Sequence, residues 1–413
     1  MDHVLETSGL KKVLSNALPS ESDTLLALIA FKLLDGHENF YAERWFIGSY
    51  AQHLYPTAVL APPRLSEFMR RLGQETTHRI FFDAYVPYLK AIPKASENVI
   101  IDGADLQNDL LLEDAGARQE ATSDESRVTR VVERNTGLPV YFRYVADYYL
   151  DVRILRVTTA HLKARDAKVK HGLLDAGYCS KQNVKDLYDN DIPFLIRLPN
   201  NALAKRLIGA YGDDVLSEEN AFEHGDRLIF LKRVAIDLFG HDAFAFIGVD
   251  FERQNEGEER RFREVVANRD KEQKENQKKE VEKHDLGFFA LVSSEKLRTS
   301  EVSPLWRLRG TLERTFDLAK NEAAPAPGKP RDEEAVRGHL LLSFMAAALS
   351  VTVERKLKTR KKTAALPTVQ ALQAMRHIKG DIFPNFLVTS KPSQYADLIV
   401  NELKLTVPGI IDI

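Results

Sequence analysis

Apolar residues recur at helical spacing through the first part of the chain. SDTLLALIAFKLL (22–34) carries them on every turn, with Ser22 placed as an N-cap. LSEFMRRL (65–72) and the stretch from His78 to Leu89 repeat the pattern, so residues 1–92 are expected to be helical. From Val99 the period shortens. VIID is a brief apolar run ending at Asp102-Gly103, which predicts a strand followed by a turn. RVTRVVER and VYFRYVA alternate on either side of Gly137-Leu138-Pro139, the pattern of a hairpin. A helix is expected over 152–164, then a buried strand in HGLLD, a helix capped by Ser180 and reaching Tyr188, and a strand in DIPFLIRLP. The order β-β-β-α-β-α-β predicts an α/β domain built on a mixed sheet.

That rhythm breaks at 200–285. RLIFLKRVAI and DAFAFIGVDF read as β runs, and Glu256–His284 is charged with little apolar content, as in a solvated helix or a mobile arm. The block reads as an insertion. GFFALVSS then resumes the buried strands, followed by a helix in LWRLRGTLERTFDLAK (305–320) and a loop rich in Pro and Ala. A further helix is expected from Val336 into RKLKTRKK, and the tail from Thr363 is weakly patterned.

Composition narrows the picture. The 413 residues suffice for two or three domains, and 44% are hydrophobic, enough for a sizeable core. The net charge of −2 supplies no bulk attraction to nucleic acid, so any such attraction must be local. The one cysteine, Cys179, excludes an internal disulfide and a cysteine-based zinc site, and reads as a small buried packer. MDHVLETSGLKK does not predict a signal peptide, and the greasiest stretch, Leu340–Val351, is shorter than a membrane span. A soluble cytoplasmic protein without membrane contact is expected. His161, His171 and His339 lack metal-ligand spacing and read as structural or surface groups.

Candidate chemistry gathers on the 305–320 helix. At 100° per residue, Trp306, Arg309, Glu313 and Lys320 fall in a stripe roughly 60° wide, directly beside the apolar face. Taken alone, the stripe fits an Arg309–Glu313 ion pair on a solvated flank. Two strand-end carboxylates change its meaning. Asp102 ends VIID and Asp175 ends GLLD, and strand ends of an α/β sheet are where ligands bind. Each alone is most simply a turn residue, and Asp105 competes with Asp102 from within the turn. Together with Glu313 they could share two divalent cations, which clamp the attacking and leaving oxygens of a phosphodiester displacement. Arg309 and Lys320 would then hold the flanking phosphates. RKLKTRKK puts six cations between Arg355 and Lys362, suited equally to DNA phosphates and to a solvated helix end.

The spacing Trp306-(2)-Arg309-(3)-Glu313-(6)-Lys320 resembles the Y-(2)-R-(3)-E-(6)-K signature of DDE transposases from bacterial insertion sequences, of the family numbered four. VIIDGADLQNDL resembles that family's first-aspartate block, and LLDAGYCSKQNVKDLYDNDIPFLIRL its second. The resemblance covers roughly residues 25–355, with four blocks in the family's order. It implies a ribonuclease H-like mixed sheet with helices, interrupted by a mainly β insertion between the second Asp and the Glu. The implied division is a helical N-terminal, DNA-contacting region (1–92), two parts of a catalytic domain (93–199 and 286–360), an insertion with a charged arm (200–285), and a C-terminal region (361–413). Asp102, Asp175 and Glu313 would hold two Mg²⁺ ions, with Mn²⁺ as a substitute. Trp306, Arg309 and Lys320 would contact DNA, with Trp306 at the family's Tyr position. The implied partners are double-stranded DNA and a second copy of the chain. The implied activity is DNA cleavage followed by 3′-hydroxyl attack. Against it stands a non-catalytic, transposase-derived DNA-binding protein, favoured by Trp306 and a short N-terminal region. A nuclease that cuts without joining is a third reading.

Overall fold

The computed structural model describes residues 1–35, 39–96, 98–106, 126–145, 152–224, 227–250, 287–302, 304–306, 332–407 and 409–412, with backbone only at 102–106, 126–127, 145, 153, 222–224, 227 and 250. It is a mixed α/β fold. The N-terminal region is helical, as its periodicity predicts: α1 (Asp2–Ser8), α2 (Leu10–Ser15), α3 (Ser22–Leu34), α4 (Ala42–Ile47), α5 (Ala51–Leu54), α6 (Pro62–Leu72) and α7 (Glu75–Lys90). Ser22 is the first helical residue of α3 rather than its cap. A 3₁₀ turn at Pro19–Glu21 leads straight into the helix, and Glu21 takes the cap position without a side-chain bond.

The sheet begins with β1 (Asn98–Leu106), β2 (Ser126–Glu133) and β3 (Pro139–Val145), followed by α8 (Val152–Lys163), β4 (Lys168–Leu174), α9 (Lys181–Asp189) and β5 (Phe194–Arg197). The predicted order is therefore observed. β1, β2 and β3 pair antiparallel, while β4 runs parallel to both β1 and β5. The strands thus lie in the order 3-2-1-4-5, a mixed sheet as expected. Glu133, buried at the end of β2, fixes the hairpin. Its carboxylate accepts from Ser96, Asn135 and Thr136, and Gly137 turns the chain at φ 68°. Ser180 caps α9 as expected, accepting from the Asn183 amide.

The interval after β5 opens with a helix that the pattern missed, α10 (Ala202–Val215). The strands β6 (Ala221–His224), β7 (Arg227–Leu238) and β8 (His241–Asp250) follow, and then β9 (Phe288–Ser293). These strands do not stand apart. β9 pairs with β5 on one side and β8 on the other, so among the described residues one nine-stranded sheet runs β3-β2-β1-β4-β5-β9-β8-β7-β6. The charged stretch Glu256–His284 lies outside the described residues.

Next comes α11 (Glu333–Lys358), which starts three residues before the expected Val336 because Asp332 caps it by accepting from the Ala335 amide. The apolar run Leu340–Val351 sits inside this helix. By length and composition the helix could cross a bilayer, but here it is buried on nearly every side. A helix that is apolar all round is a core helix, and α11 packs against α3, α6 and β3. Its crossing with α6 is backbone to backbone at Gly73 and Gly338. The tail is ordered despite its weak pattern. It holds α12 (Thr368–Arg376), α13 (Gln394–Leu403) and a small antiparallel sheet of β10 (Gly380–Ile382), β11 (Phe386–Thr389) and β12 (Ile410–Asp412).

Candidate active site and its surroundings

β1 is apolar at its start, with Val99, Ile100 and Ile101 all buried, because its neighbours cover both faces there. Asp102 does not end the strand, as the Asp-Gly pair suggested. β1 continues to Leu106 because β2 supplies backbone partners along that whole length. What ends at Asp102 is the pairing with β4: Asp102 opposite Leu173 is the last parallel pair. β4 stops at Leu174, and Asp175 follows in extended conformation (φ −67°, ψ 164°) before a 3₁₀ turn at Ala176–Tyr178. The register thus sets Asp175 two residues beyond the level of Asp102, about 7 Å further along the neighbouring strand. Asp175 is half-buried. This placement at the opening of two parallel strands was legible from the sequence in outline, and it is where α/β sheets bind ligands.

The segment after β9 closes over the same strands. Leu297, Val302 and Leu305 form one buried cluster with Ile100 of β1, Leu173 of β4 and Leu195 of β5, and Trp306 packs half-buried against it. Residues 304–306 are helical, as predicted. Arg309, Glu313 and Lys320, and with them the expected stripe, lie outside the described residues. Leu305 and Trp306 nonetheless pack over strands whose ends carry the two aspartates.

Two charged or titratable groups, Arg130 and His171, flank this region, and the sequence pattern singled out only the second. Arg130 on β2 stands directly opposite Asp102 and is 1% exposed. A signal for it existed: Val128, Arg130 and Val132 share one parity of an alternating strand, which puts a cation in a buried row. His171 on β4, also buried, has its Nε2 2.8 Å from Glu295 Oε2, though not aligned as a hydrogen bond. Burial lowers the His171 pKa, against the pull of Glu295. His161 accepts from Arg143 through Nδ1 at 2.8 Å, and His339 lies 3.3 Å from the Asn39 amide, so both serve structure as expected. Burial pushes the Cys179 thiol up to about 11, which suits an inert packer. Part of the basic run is committed internally. Arg355 donates to the Pro93 carbonyl, Lys358 pairs with Glu354, and Lys362 pairs with Glu402.

A divalent cation of the Mg²⁺ type needs a few oxygen ligands and keeps its waters. Among the described residues no three His, Cys, Asp or Glu side chains converge on one point. Asp102 is described by its backbone alone, and Glu313 lies outside the described residues. What is placed fits such an ion: the backbone sets two aspartate positions at the end of the parallel pairing, and Asp175 is half-buried.

Comparison with known proteins gives two findings. A family model described as a transposase DDE domain matches residues 99–349. Among solved structures, a cryo-EM structure of a piggyBac transposase synaptic complex with hairpin DNA is similar at 10% identity and a TM-score of 0.40, over 94% of this chain and 77% of that one. No curated protein matches the sequence.

Proposed function

Because the chain belongs to the transposase DDE-domain family, we propose that it is a DNA transposase that cleaves the ends of an insertion sequence and joins them to a target by 3′-hydroxyl attack. The observation that carries this reading is the strand register. It sets Asp102 and Asp175 at the end of one parallel strand pair, under Leu297, Val302, Leu305 and Trp306, which lead in the sequence towards Glu313. In this reading Asp102, Asp175 and Glu313 hold two divalent cations, Mg²⁺ with Mn²⁺ as a substitute. When bound, these ions would supply an activated water and neutralise charge at the leaving oxygen. The chain's own task is positioning. Phosphoryl transfer needs alignment and charge neutralisation more than a covalent nucleophile. Arg309 and Lys320 would hold phosphates beside the reacting one, and Trp306 would stack against the DNA end. The partners are double-stranded DNA and a second copy of the chain, acting in the cytoplasm.

One feature favours a second reading, a transposase-derived DNA-binding protein with impaired catalysis. Trp306 replaces the family's Tyr, and its indole N–H can donate but not accept. Incubation with a supercoiled plasmid carrying the gene's own flanks, with Mg²⁺ or Mn²⁺, separates the two. Nicking at the flanks that is lost in Asp175→Ala supports the transposase. DNA binding without nicking supports the derivative. Nicks without joined products would indicate a nuclease that only cuts.

A further inference from the structure

We propose that the cavity between α7, β3, α8 and the start of α11 is a second DNA contact, a pocket for a backbone phosphate beside the cleaved position. This inference rests on the transposase reading. The cavity has a volume of about 310 Å³, and Arg79, Arg143, Arg165 and Arg337 line it, with Glu75 as the one carboxylate among its walls. Two of the arginines are balanced from outside. Arg165 holds Asp83 at 2.8 Å, and Arg337 lies 3.3 Å from Glu333. The other two are not. Arg79 is exposed and makes no ion pair among the described residues, and Arg143 spends one Nη2 hydrogen on the neutral ring of His161.

Buried polar atoms in the same wall point to an occupant. His78 is 8% exposed and lines the cavity, and its Nε2 has no hydrogen-bond partner. The Nε atoms of Arg143 and Arg337 are likewise buried without one. The guanidinium N–H donors left unmet here are costly. Oxygens of a tetrahedral anion, approached by guanidinium forks, would meet them together.

The position favours DNA over other anions. Asp102 pairs with Arg130, and Arg130 pairs with Phe142, the residue before Arg143. The pocket therefore stands level with Asp102, two strands away, or about 10 Å at the usual strand spacing. A DNA strand held at Asp102 reaches that far within a few nucleotides.

The test is the salt dependence of DNA binding by the full chain, measured by fluorescence anisotropy on a duplex of the gene's flank without divalent metal. Each phosphate contact contributes about 0.9 to the slope of log affinity against log salt. Arg79→Gln/Arg143→Gln is expected to lower the slope by about one. Between 50 and 200 mM salt its affinity should then fall about 3.5-fold less than that of the parent. An unchanged slope, with parental binding intact, would overturn the pocket and leave the transposase reading standing. A parent that binds no duplex would overturn both. Should the double variant unfold, Arg79→Gln, at an exposed position, decides the question alone by the same slope. Inorganic phosphate that raises the parent's Tm but not the variant's, with the DNA slope unchanged, would make this a free-anion site and sink the DNA assignment.

Discussion

Asp102 on β1 stands directly opposite Arg130 on β2, at a Cα separation of about 4.5–5.5 Å for such antiparallel partners, and Arg130 is 1% exposed. A guanidinium this deep needs a counter-charge. Glu133, the buried carboxylate of β2, is committed to the hairpin turn through Ser96 and Thr136. Asp102 is the residue that the register sets opposite Arg130. Removing one member of a buried pair costs about 3–5 kcal/mol, whereas replacing both is far milder. Asp102→Asn is therefore expected to destabilise the fold, and Asp102→Asn/Arg130→Met to recover much of that loss. Urea unfolding of the four proteins in this double-mutant cycle measures the coupling. A coupling below about 0.5 kcal/mol would mean that Arg130 is balanced elsewhere.

Asp175 has a different role to test, because it lies past the end of β4 rather than inside the sheet. Asp175→Asn keeps the size and removes the charge. Metal-dependent nicking should fall by more than about 100-fold, beyond the 10–100-fold typical of losing an outer partner of a metal site. Thermal unfolding should stay near the parent's. Parental nicking in the variant would remove Asp175 from the catalytic group, and Glu313→Gln applies the same test on the other side of the cleft.

The central sheet was legible because its strands are covered on both faces and read as apolar runs. VIID, GLLD and FLIR each align with an observed strand. The end of β1 was misread because Asp102-Gly103 is a local turn signal, and cross-strand pairing with β2 overrides it. α10 was missed because Gly209 and Gly212 lower its helix propensity, while burial of Leu207, Ile208 and Val215 fixes it from outside. The short tail strands have largely exposed residues, so no period marks them. The arginine pocket was invisible for another reason. It arises from register and from helices distant in sequence, and no spacing along the chain encodes that.

The crossing of α6 and α11 gives a pair of opposite outcomes for one substitution. A Cβ on Gly338 would stand 1.9 Å from the Met69 carbonyl oxygen, and a backbone atom cannot swing aside. Gly338→Ala is expected to cost more than the 1–3 kcal/mol of ordinary overpacking. Gly209 sits inside α10 with nothing within 4 Å of an added Cβ. Gly209→Ala is expected to stabilise by about 0.5–1 kcal/mol, since Ala loses less backbone freedom in a helix. Urea midpoints at constant m-value would show both shifts. A mild Gly338→Ala would mean that the two helices separate easily.

Burial, aided by the Arg337 charge, lowers His78 to about 4, from an ordinary value of 6.5. The unfolded chain therefore takes up a proton at this site below about pH 6.5, while the folded protein resists until about pH 4. Stability is full above the unfolded value and drains away as pH falls through that window. The whole difference is worth about 3 kcal/mol at 1.36 kcal/mol per unit. His161 and His171 are lowered as well and add in the same direction. Replacing the ring by a group that does not titrate isolates the share of His78. Across pH 4 to 7, His78→Gln is expected to lose less stability than the parent, by up to about 3 kcal/mol. Urea unfolding at several pH values gives the slope directly. Parallel slopes for parent and variant would show that His78 is not held neutral, and a duplex titrated at pH 6 would then find it already charged.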